Sequence, residues 1–418
     1  MADIKLTYKG STIAELSATG NKTLKTSGKY CEGDIGVEYT KPSGGGELEP
    51  IAGVNFIDYD GKILSQWTPA DVFDATELPP NPDHSSDITW AGVTIPLTAQ
   101  GWNWTLADIQ ELIYNDPTET LYVGQNYATS DNCVYLCVSL DDSTLNPRVT
   151  TAYTSGVTYT IDWGDGTTET FLNTVIHTYA TAADYAIKIS QSRVTNFFVI
   201  QGSTTYGTSI FGMKGSVSYL VENMNYTKCL RKIFLCERVR INNLNYCPNL
   251  ESVSISTFTQ FGLNTYTLCG NLSLKSITLL NDYNVLADYA LQNTPNLTRI
   301  SLPKQVDNGI GASCFEGKTI ESFIVPLGAN NLNANAFAEV YKIKRIKFLT
   351  STPPNAASYT WYNGLPYFTK FYIQKGSYSS YSTATYYPPV SSYTYVEYGA
   401  DGETVHLPTG EEEPITEE

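Results

Sequence analysis

The segment Leu274-Lys275-Ser276-Ile277-Thr278-Leu279 has apolar residues at its first, fourth and sixth positions. The same pattern returns about every 23 residues between residues 230 and 373, a period typical of a stacked solenoid. Its central apolar residues are Ile233, Val253, Ile277, Ile300, Phe323, Ile346 and Phe371. In such a solenoid each turn adds one short strand and buries its apolar side only against its neighbours. Because solenoids present extended surfaces, the pattern favours a binding or structural protein over an enzyme.

A second apolar position lies a few residues before most of these strand patterns. It is occupied by Leu244, Leu268, Leu291, Phe315 and Phe337. The combination of Ala336-Phe337 or Cys314-Phe315, a short polar turn and a Leu-x-x-Ile-x-Leu pattern resembles the BspA-type leucine-rich repeat. The resemblance implies a solenoid over residues 201–395, which the Tyr- and Ser-rich residues 368–395 would close as a polar cap. The irregular first turn and the Lys and Arg at many Ser/Thr positions depart from that family.

The composition favours several β-rich domains with hydrogen-bonding surfaces. The chain has 418 residues, of which 16% are charged and 31 are Tyr, and this length exceeds what one core organises. Its net charge of −16 argues against nucleic acid as a partner, because such binding depends on neutralising phosphates. We also expect no membrane insertion, since no apolar run approaches the ~20 residues that a membrane-spanning helix needs.

The start of the chain and its cysteines indicate synthesis in a reducing compartment. No basic and apolar leader precedes the strand pattern that begins at Ile4, so we expect synthesis in a reducing cytoplasm. No two cysteines form a Cys-x-x-Cys pair, and we expect buried free thiols rather than a zinc site. The cysteines are Cys31, Cys133, Cys137, Cys229, Cys236, Cys247, Cys269 and Cys314.

Residues 1–42 alternate apolar and polar side chains between glycine-containing turns, which predicts a small β-module. Residues 6–15 and 22–35 resemble the start of structural proteins on the virions of phages that infect gut bacteria. The resemblance implies that this module anchors the chain to the particle, with capsid or tail proteins as partners. Because about 40 residues bury little surface, we expect a homo-oligomer, such as a trimer. Residues 43–50 are predicted to be a Gly-rich linker.

Residues 51–130 are predicted to form an α+β module. Residues 54–61 and 97–109 are similar to the module that follows the anchoring module in such phage proteins. Apolar residues recur at helical spacing at Leu106, Ile109, Leu112 and Ile113. Thr105 or Asn103 can cap this helix, and Pro117 ends it.

The two tryptophans of this module have alternative interpretations. Trp102 and Trp104 stand just before the predicted helix. One interpretation is that they stack on a sugar ring, and the other is that they pack in the core beside the helix start.

Residues 131–200 contain the turn sequence Trp163-Gly164-Asp165-Gly166, which resembles that of a PKD-type β-sandwich. The glycines suit positive-φ turn positions, and Asp165 can hydrogen-bond the turn backbone. The resemblance implies that Trp163 anchors the core and that His177 and Tyr179 open the return strand. A calcium site at Asp162 and Asp165 is the alternative, but two carboxylates are too few for a calcium shell. We therefore expect a structural turn and no metal.

Catalytic motifs are absent from the sequence. The only histidines are His84, His177 and His406, and there is no nucleophile elbow, phosphate-binding loop or His-Glu-x-x-His motif. The acidic pairs Asp58/Asp60 and Asp141/Asp142 lack a context that predicts a glycosidase site. We expect a protein that is not an enzyme and needs no cofactor.

The residues between the apolar positions of the repeats form a candidate ligand-binding face. In a leucine-rich turn they point outward from the strands, and here they are rich in cations and hydroxyls. The candidates are Lys232, Arg299, Arg345, Lys347, Lys370 and Tyr372. This face could hold an anionic glycan, teichoic acid or an acidic protein loop. Alternatively, the cations only keep an exposed sheet soluble.

The sequence thus predicts a mainly β, multidomain chain. Its predicted parts are a small N-terminal β-module (1–42), a linker (43–50), an α+β module (51–130), a PKD-like β-sandwich (131–200), a leucine-rich-repeat solenoid (201–395) and an acidic C-terminal tail (396–418).

The predicted function is that of a structural protein on the virion surface of a phage. It would be displayed as a head or tail fibre or decoration, anchored by its N-terminus, with the repeats contacting a host-surface glycan or protein. The first alternative is a bacterial cell-surface leucine-rich-repeat adhesin encoded by an integrated element. Others are an enzyme that uses the repeats for targeting, and a decoration that only strengthens the particle.

Overall fold

The structure is a computed structural model that describes most of the chain. The described residues are 3–8, 11–16, 22–24, 35–40, 48–85, 89–129, 131, 133–139, 148–151, 158–172, 174–191, 198–201, 207–211, 232–236, 244–256, 265–279, 286–306, 309–408 and 412–414. They are mainly β, as predicted, and divide into two compact units, Met1–Pro50 and Ile51–Glu418. No helix in these ranges has the length and hydropathy to cross a bilayer.

The first unit is a four-stranded antiparallel sheet with the order β3-β2-β1-β4. Its strands are β1 Asp3–Tyr8, β2 Ser11–Leu16, β3 Lys22–Leu24 and β4 Ile35–Thr40. Leu6 of β1 lies opposite Ala14 on one side and Val37 on the other. The apolar–polar alternation predicted three of these strands, and β3 is an additional short one.

The second unit begins with a small sheet and two helices. The elements are β5 Gly53–Ile57, β6 Ile63–Trp67, α1 Pro69–Asp74, β7 Thr89–Trp90, β8 Val93–Thr94, β9 Leu97–Trp102, α2 Leu106–Asn115 and β10 Thr120–Thr129. The sheet has the order β6-β5-β10-β9, and β5 runs parallel to β10. We call residues 51–129 the module.

Helix α2 has the ends that its sequence predicts. The Thr105 side chain caps it by accepting the Asp108 N–H at 3.2 Å, and Asp116 is the C-cap, one residue before Pro117. The apolar face of α2 packs onto the module's sheet, where the buried residues are Ile109, Leu112, Ile113, Val54, Phe56 and Val123.

Two packed sheets follow. Their strands are β11 Val134–Ser139, β12 Arg148–Thr151, β13 Tyr159–Asp162, β14 Thr168–Phe171, β15 Thr174–Ile176, β16 Asp184–Gln191, β17 Phe198–Gln201 and β18 Gly207–Phe211. One sheet contains β14-β13-β16-β11-β18, and the other contains β15-β12-β17. His177 and Tyr179 lie between β15 and β16, so they precede the return strand, which starts at Asp184, rather than opening it.

The repeats contribute the remaining strands. They are β19 Lys232–Cys236, β20 Ser252–Ser256, β21 Ser276–Leu279, β22 Arg299–Ser301, β23 Ser322–Val325, β24 Asn331–Leu332, β25 Arg345–Phe348, β26 Asn355–Ala356, β27 Lys370–Gln374, β28 Thr394–Tyr398, β29 Thr404–His406 and β30 Glu412–Pro414. A 3₁₀ helix, Tyr359–Tyr362, and α3 Tyr378–Ser382 lie between strands.

The strand register aligns the central apolar residues of the repeats, as the period predicts. Ile233, Val253, Ile277 and Ile300 are neighbours in parallel strands, and so are Phe323, Ile346, Phe371 and Tyr395. The sheet from the packed pair continues into the repeats, because β18 pairs with β19. It ends at β22, and a second sheet runs from β23 to β30.

The turns of the repeats share one backbone design. The buried residues at the second apolar position are Leu244, Leu268, Leu291, Phe315 and Phe337. The residue two positions after each of them has a positive φ, namely Tyr246, Gly270, Asn293, Gly317 and Glu339. The residue two positions before each of the last four does too, namely Tyr266, Tyr289, Ser313 and Asn335. Backbone hydrogen bonds such as Leu268 N–H to Ala290 O, 2.9 Å, join successive turns.

Part of the predicted acidic C-terminal tail (396–418) forms strands. Strand β28 pairs in parallel with β27, and β29 and β30 then extend the second repeat sheet by antiparallel pairing through residue 414. His406 is buried, stacks on Tyr378 with ring centroids 3.6 Å apart, and meets Glu397 at 3.2 Å. The acidic residues there are therefore interrupted by apolar positions that pair and pack.

The thiols with described side chains are buried and belong to no disulfide: Cys133, Cys247, Cys269 and Cys314. The expectation for Cys31 and Cys229, and for the side chains of Cys137 and Cys236, lies outside the described residues.

Candidate functional site

The candidate face of the repeats is largely covered by the module of the same chain. Successive side chains of the repeat strands point alternately into the solenoid core and toward the candidate face. Many of the side chains on the candidate face are buried as well. The buried polar residues of this face are Ser252, Ser254, Ser276, Thr278, Ser301 and Lys347. Three apolar residues of the repeats, Ile324, Leu327 and Leu349, pack into the core of the module.

The turn between β5 and β6 lies on the first repeats. Asp60 pairs with Lys232 at 2.8 Å, and the Gly61 carbonyl accepts from Arg299 Nη1 at 3.0 Å. Gly61 has a φ of 79°, and a Cβ at that position would lie 1.9 Å from Ser276 Oγ. Only glycine fits here, so the backbone of the module touches the repeat strand directly.

The start of α2 lies on the middle repeats. Trp104 is buried and donates from Nε1 to the Leu302 carbonyl at 2.8 Å. Asn103 Nδ2 donates to Ser301 Oγ at 3.0 Å. Trp102 packs edge-on against Phe56 with ring centroids 5.0 Å apart. Both tryptophans therefore have partners within the protein, which favours their interpretation as packing residues.

A four-residue charge cluster joins the end of α2 to strand β25. We define the buried charge cluster as Asp116, Glu119, Arg345 and Lys347. Lys347 Nζ lies 2.9 Å from Asp116 Oδ2 and 3.8 Å from Glu119 Oε2. Arg345 Nη2 pairs with Asp116 and lies 3.4 Å from Glu119 Oε2. Two cations and two carboxylates balance each other where water is excluded, which such a site requires.

The environment shifts the ionisation of this cluster. Burial raises the pKa of Glu119, although Arg345 opposes the rise. Burial lowers the pKa of Lys347 despite the attraction of both carboxylates. Burial also works against ionised Asp116, but Lys347 and Arg345 together lower its pKa. A proton can therefore pass from Lys347 to Glu119 at less free-energy cost than in water.

The last two candidates of the face lie beside this cluster. Tyr372 is buried under the Arg345 guanidinium, whose carbon lies 4.1 Å from the ring centroid, and burial raises the tyrosine pKa to about 12. Lys370 is exposed. Five of the six candidates thus contact other parts of the same chain. Ligand binding by this set stays a prediction, and these contacts favour a role in joining the module to the repeats.

The turn with the sequence Trp163-Gly164-Asp165-Gly166 is held by its own side chains. Gly164 and Gly166 have φ values of 79° and 90°. Asp165 Oδ1 accepts the Thr167 N–H at 3.0 Å, and its Oδ2 meets His177 Nε2 at 2.8 Å. Trp163 is buried and stacks on His177 with ring centroids 4.7 Å apart. These contacts stabilise the turn, and they give both carboxylate oxygens of Asp165 a partner within the protein.

The acidic pairs have structural partners where they are described. Asp58 accepts from Tyr127 Oη at 2.6 Å and meets His84 Nε2 at 2.8 Å, while Asp60 is paired with Lys232. Asp141 and Asp142 lie outside the described residues. Within the described ranges, His, Cys, Asp and Glu side chains form no group of three that could hold a metal ion.

The outer turns of the repeats carry a set of aromatic side chains that the sequence analysis missed. We define the turn-edge tyrosines as Tyr246, Tyr266, Tyr289, Tyr341, Tyr359 and Tyr367. Five of them expose between 43% and 78% of their surface, and Tyr289 is half-buried. The rings of Tyr266 and Tyr289 stack with centroids 4.6 Å apart at an angle of 7°. Tyr266 and Tyr289 are 23 positions apart, which equals the repeat period, and this spacing could have identified the pair from the sequence.

Comparisons with known proteins match the repeats. Residues 237–364 match the model of the BspA type leucine rich repeat region in six copies. This part of the chain therefore carries BspA-type leucine-rich repeats, as the pattern predicted. Among solved structures, this chain is similar to a leucine-rich repeat protein from Bacteroides ovatus ATCC 8483, with a TM-score of 0.26 and 13% sequence identity. The match covers 59% of this chain and 76% of that chain. No curated protein shows a significant match.

Proposed function

We propose that this protein is a non-enzymatic adhesion protein that contacts a glycan through the turn-edge tyrosines of its repeats. The BspA-type repeats support the coarser part of this proposal, because solenoids of stacked turns generally present binding surfaces. The charged face is largely occupied by the module, which leaves the outer turns as the extended surface of the described repeats.

The exposed aromatic rings carry the proposal. Tyr266 and Tyr289 lie in successive turns at positive φ, where a bulky side chain has a conformational cost. Their stacked rings form a two-ring aromatic group with a hydroxyl group on each ring. A tyrosine combines an apolar face with a polar tip, which suits a sugar that has an apolar face and a rim of hydroxyls. One such contact is weak, but repeated sites on an oligomer add avidity.

Binding to bacterial envelope glycans tests this proposal. The full chain would be titrated onto isolated cell-wall polysaccharides and a glycan array, beside the double variant Tyr266→Ala/Tyr289→Ala. Loss of two stacking contacts should weaken binding by about tenfold or more. Tyr114→Ala is the matched control, because Tyr114 is 58% exposed on α2 and lies outside the repeats. Equal binding by both variants and the unchanged chain would reject the tyrosine surface.

The adhesion protein could be displayed on either of two kinds of surface, a phage particle or a bacterial cell. The resemblance of residues 6–15 and 22–35 to phage structural proteins, and of residues 131–200 to a PKD-type sandwich, supports a fibre or decoration on a virion. The BspA-type repeats are equally consistent with a bacterial cell-surface adhesin encoded by an integrated element. We favour the virion, with the N-terminal module as the anchor to capsid or tail proteins and synthesis in the host cytoplasm.

Electron microscopy of phage particles and bacterial envelopes distinguishes the two surfaces. A label after Glu418 should project from the capsid or the tail of particles if the chain is a virion protein. Label on bacterial envelopes and none on particles would reject the virion and support the cell-surface adhesin.

A further inference from the structure

The buried charge cluster brings an amine against a carboxyl group from a distant part of the chain. Lys347 lies in β25, Asp116 is the C-cap of α2, and 231 positions separate them. Lys347 Nζ stands 2.9 Å from Asp116 Oδ2, and both side chains are excluded from solvent, with 1% and 0% exposed. An amine and a carboxyl group held at such a distance have a very high effective concentration.

Donors on both oxygens orient the Asp116 carboxyl. Thr118 donates to Oδ1 from its backbone N–H at 3.1 Å and from its hydroxyl at 2.8 Å. Oδ2 faces Lys347. When a nucleophile attacks Cγ, negative charge develops on one carboxyl oxygen, and two fixed donors stabilise it there. The Thr118 donors therefore give Oδ1 the environment of an oxyanion hole.

Glu119 stands where a proton carrier is needed. Its Oε2 is buried, makes no hydrogen bond among the described residues, and lies 3.8 Å from Lys347 Nζ and 3.4 Å from Arg345 Nη2. Burial raises the pKa of Glu119 and lowers that of Lys347. The neutral form of each side chain is therefore more populated here than it would be in water. A neutral amine is the nucleophilic form of lysine.

We propose that Lys347 and Asp116 condense to an intramolecular isopeptide bond, with Glu119 as the proton carrier. Glu119 takes a proton from the Lys347 ammonium and passes it to Asp116 Oδ2, and the free amine attacks Cγ of the neutral carboxyl group. The C–N bond forms with negative charge on Oδ1, and the C=Oδ1 bond re-forms as the C–Oδ2 bond breaks. Glu119 carries the second amine proton to the departing oxygen, so one water leaves and Glu119 ends as the carboxylate it was. The reaction consumes no other reagent.

The surroundings hold the reacting groups together and exclude water. The Tyr398 ring centroid lies 4.0 Å from Lys347 Nζ, and Tyr372 covers Arg345. Arg345 is the other charged group in contact with the carboxylates, and Glu403 acts on the cluster at longer range. After condensation, Arg345 keeps Glu119 as its ionic partner. The bond would tie the module covalently to the repeats.

The intact mass of the purified full chain tests the bond directly. We expect the protein to be lighter than its sequence by one water, and a protease digest to contain one branched peptide that joins residue 116 to residue 347. A full sequence mass, with the two peptides recovered separately, overturns the proposal. Water loss mapped to a succinimide at Asp165-Gly166 or Asp401-Gly402, with no branched peptide, overturns it as well.

The chain contains its own matched control. Lys304 lies 2.6 Å from Asp108 and 2.9 Å from Glu111, the same three residue types, but its side chain is 28% exposed. We expect no branched peptide at Lys304. A branch there too would show that proximity alone suffices and would overturn the role of the buried site.

Glu119→Gln tests the proton carrier with little change of size. We expect this variant, folded by circular dichroism, to keep its full mass or to lose water at least tenfold more slowly after synthesis. Wild-type loss of water in a folded variant would overturn the role of Glu119. The wild-type mass decides the bond itself even if the variant does not fold.

Discussion

Lys318 and Lys347 are both buried in the repeats, but their ammonium groups meet different partners. Lys347 lies between two carboxylates. Lys318 donates to the Leu291 carbonyl and the Thr294 hydroxyl, which carry no charge. Burial lowers the pKa of Lys318 from 10.5 to about 7. The charge of the Lys347 ammonium is thus balanced by carboxylates, whereas Lys318 has no such partner in these contacts and its pKa lies near neutrality.

The pKa of Lys318 predicts a rise in stability with pH. Between about pH 7 and pH 9 the unfolded chain binds a proton that the folded chain releases, so Lys318 raises the free energy of unfolding by about 1.4 kcal/mol per pH unit. From about pH 8 upward the thiols of Cys133, Cys269 and Cys314 oppose this, because burial raises their pKa values and only the unfolded chain then releases their protons. In urea unfolding at pH 7, 8 and 9, the free energy of unfolding should rise more with pH in the unchanged protein than in Lys318→Met.

The control for that experiment is Lys344→Met. Lys344 pairs with Glu321 on the surface, where both side chains are more than 60% exposed, and its loss should leave the pH slope unchanged. The interpretation of Lys318 is wrong if Lys318→Met keeps the slope of the unchanged protein.

Two glycines of one turn offer a matched pair of substitutions. Gly164 and Gly166 both have a positive φ, which costs an alanine about 1–2 kcal/mol. A Cβ on Gly164 would also lie 2.6 Å from the Ala186 carbonyl oxygen, whereas one on Gly166 meets no atom within 4 Å. Gly164→Ala should therefore destabilise the protein by at least about 1 kcal/mol more than Gly166→Ala in urea unfolding. Equal losses would show that backbone conformation alone matters.

At the scale of elements, the contact of the β5–β6 turn with strand β21 depends on small residues on both sides. Alanine at Gly61 would overlap the Cβ and Oγ of Ser276, so it should separate the turn from the strand. Glycine at Ser276 would remove the overlapped atoms. The double variant should therefore be more stable than the sum of the single losses by about 1 kcal/mol or more, in a double-mutant cycle of urea unfolding. Additive losses would mean that the turn and the strand are not in direct contact.

At the scale of the whole molecule, three kinds of contact join the parts of Ile51–Glu418. The β18–β19 pair makes one sheet continuous from the packed sheets into the repeats. Trp90 Nε1 donates to the Tyr185 carbonyl at 3.1 Å, which joins the module to the packed sheets. The buried charge cluster joins the module to the repeats. Parts that share this much buried contact gain stability from one another.

These contacts predict cooperative unfolding of this unit. Amides of β5, β16 and β25 belong to its three regions, and they should lose their protection from hydrogen exchange at the same denaturant concentration. Loss of β16 protection well before that of β5 and β25 would show that the packed sheets unfold independently.

Much of the local structure could be predicted from the amino-acid sequence. The 23-residue period is a property of neighbouring turns, so it predicted the repeat strands and their register. The helix α2 and the turn at Gly164 follow from spacing, capping and glycine placement, which act over a few residues. The final strands were missed because charged residues dominate the composition of the last segment.

The tertiary structure alone decided what covers the repeat face. The cations Arg299, Arg345 and Lys347 stand in outward positions of the repeat, and the pattern does not say what meets them. Their partners lie in the module more than 200 positions earlier, and contacts at that separation leave no periodic signal. A face that seemed suited to an external anion is therefore largely neutralised by the chain itself, because buried cations need carboxylates from whichever segment packs over them.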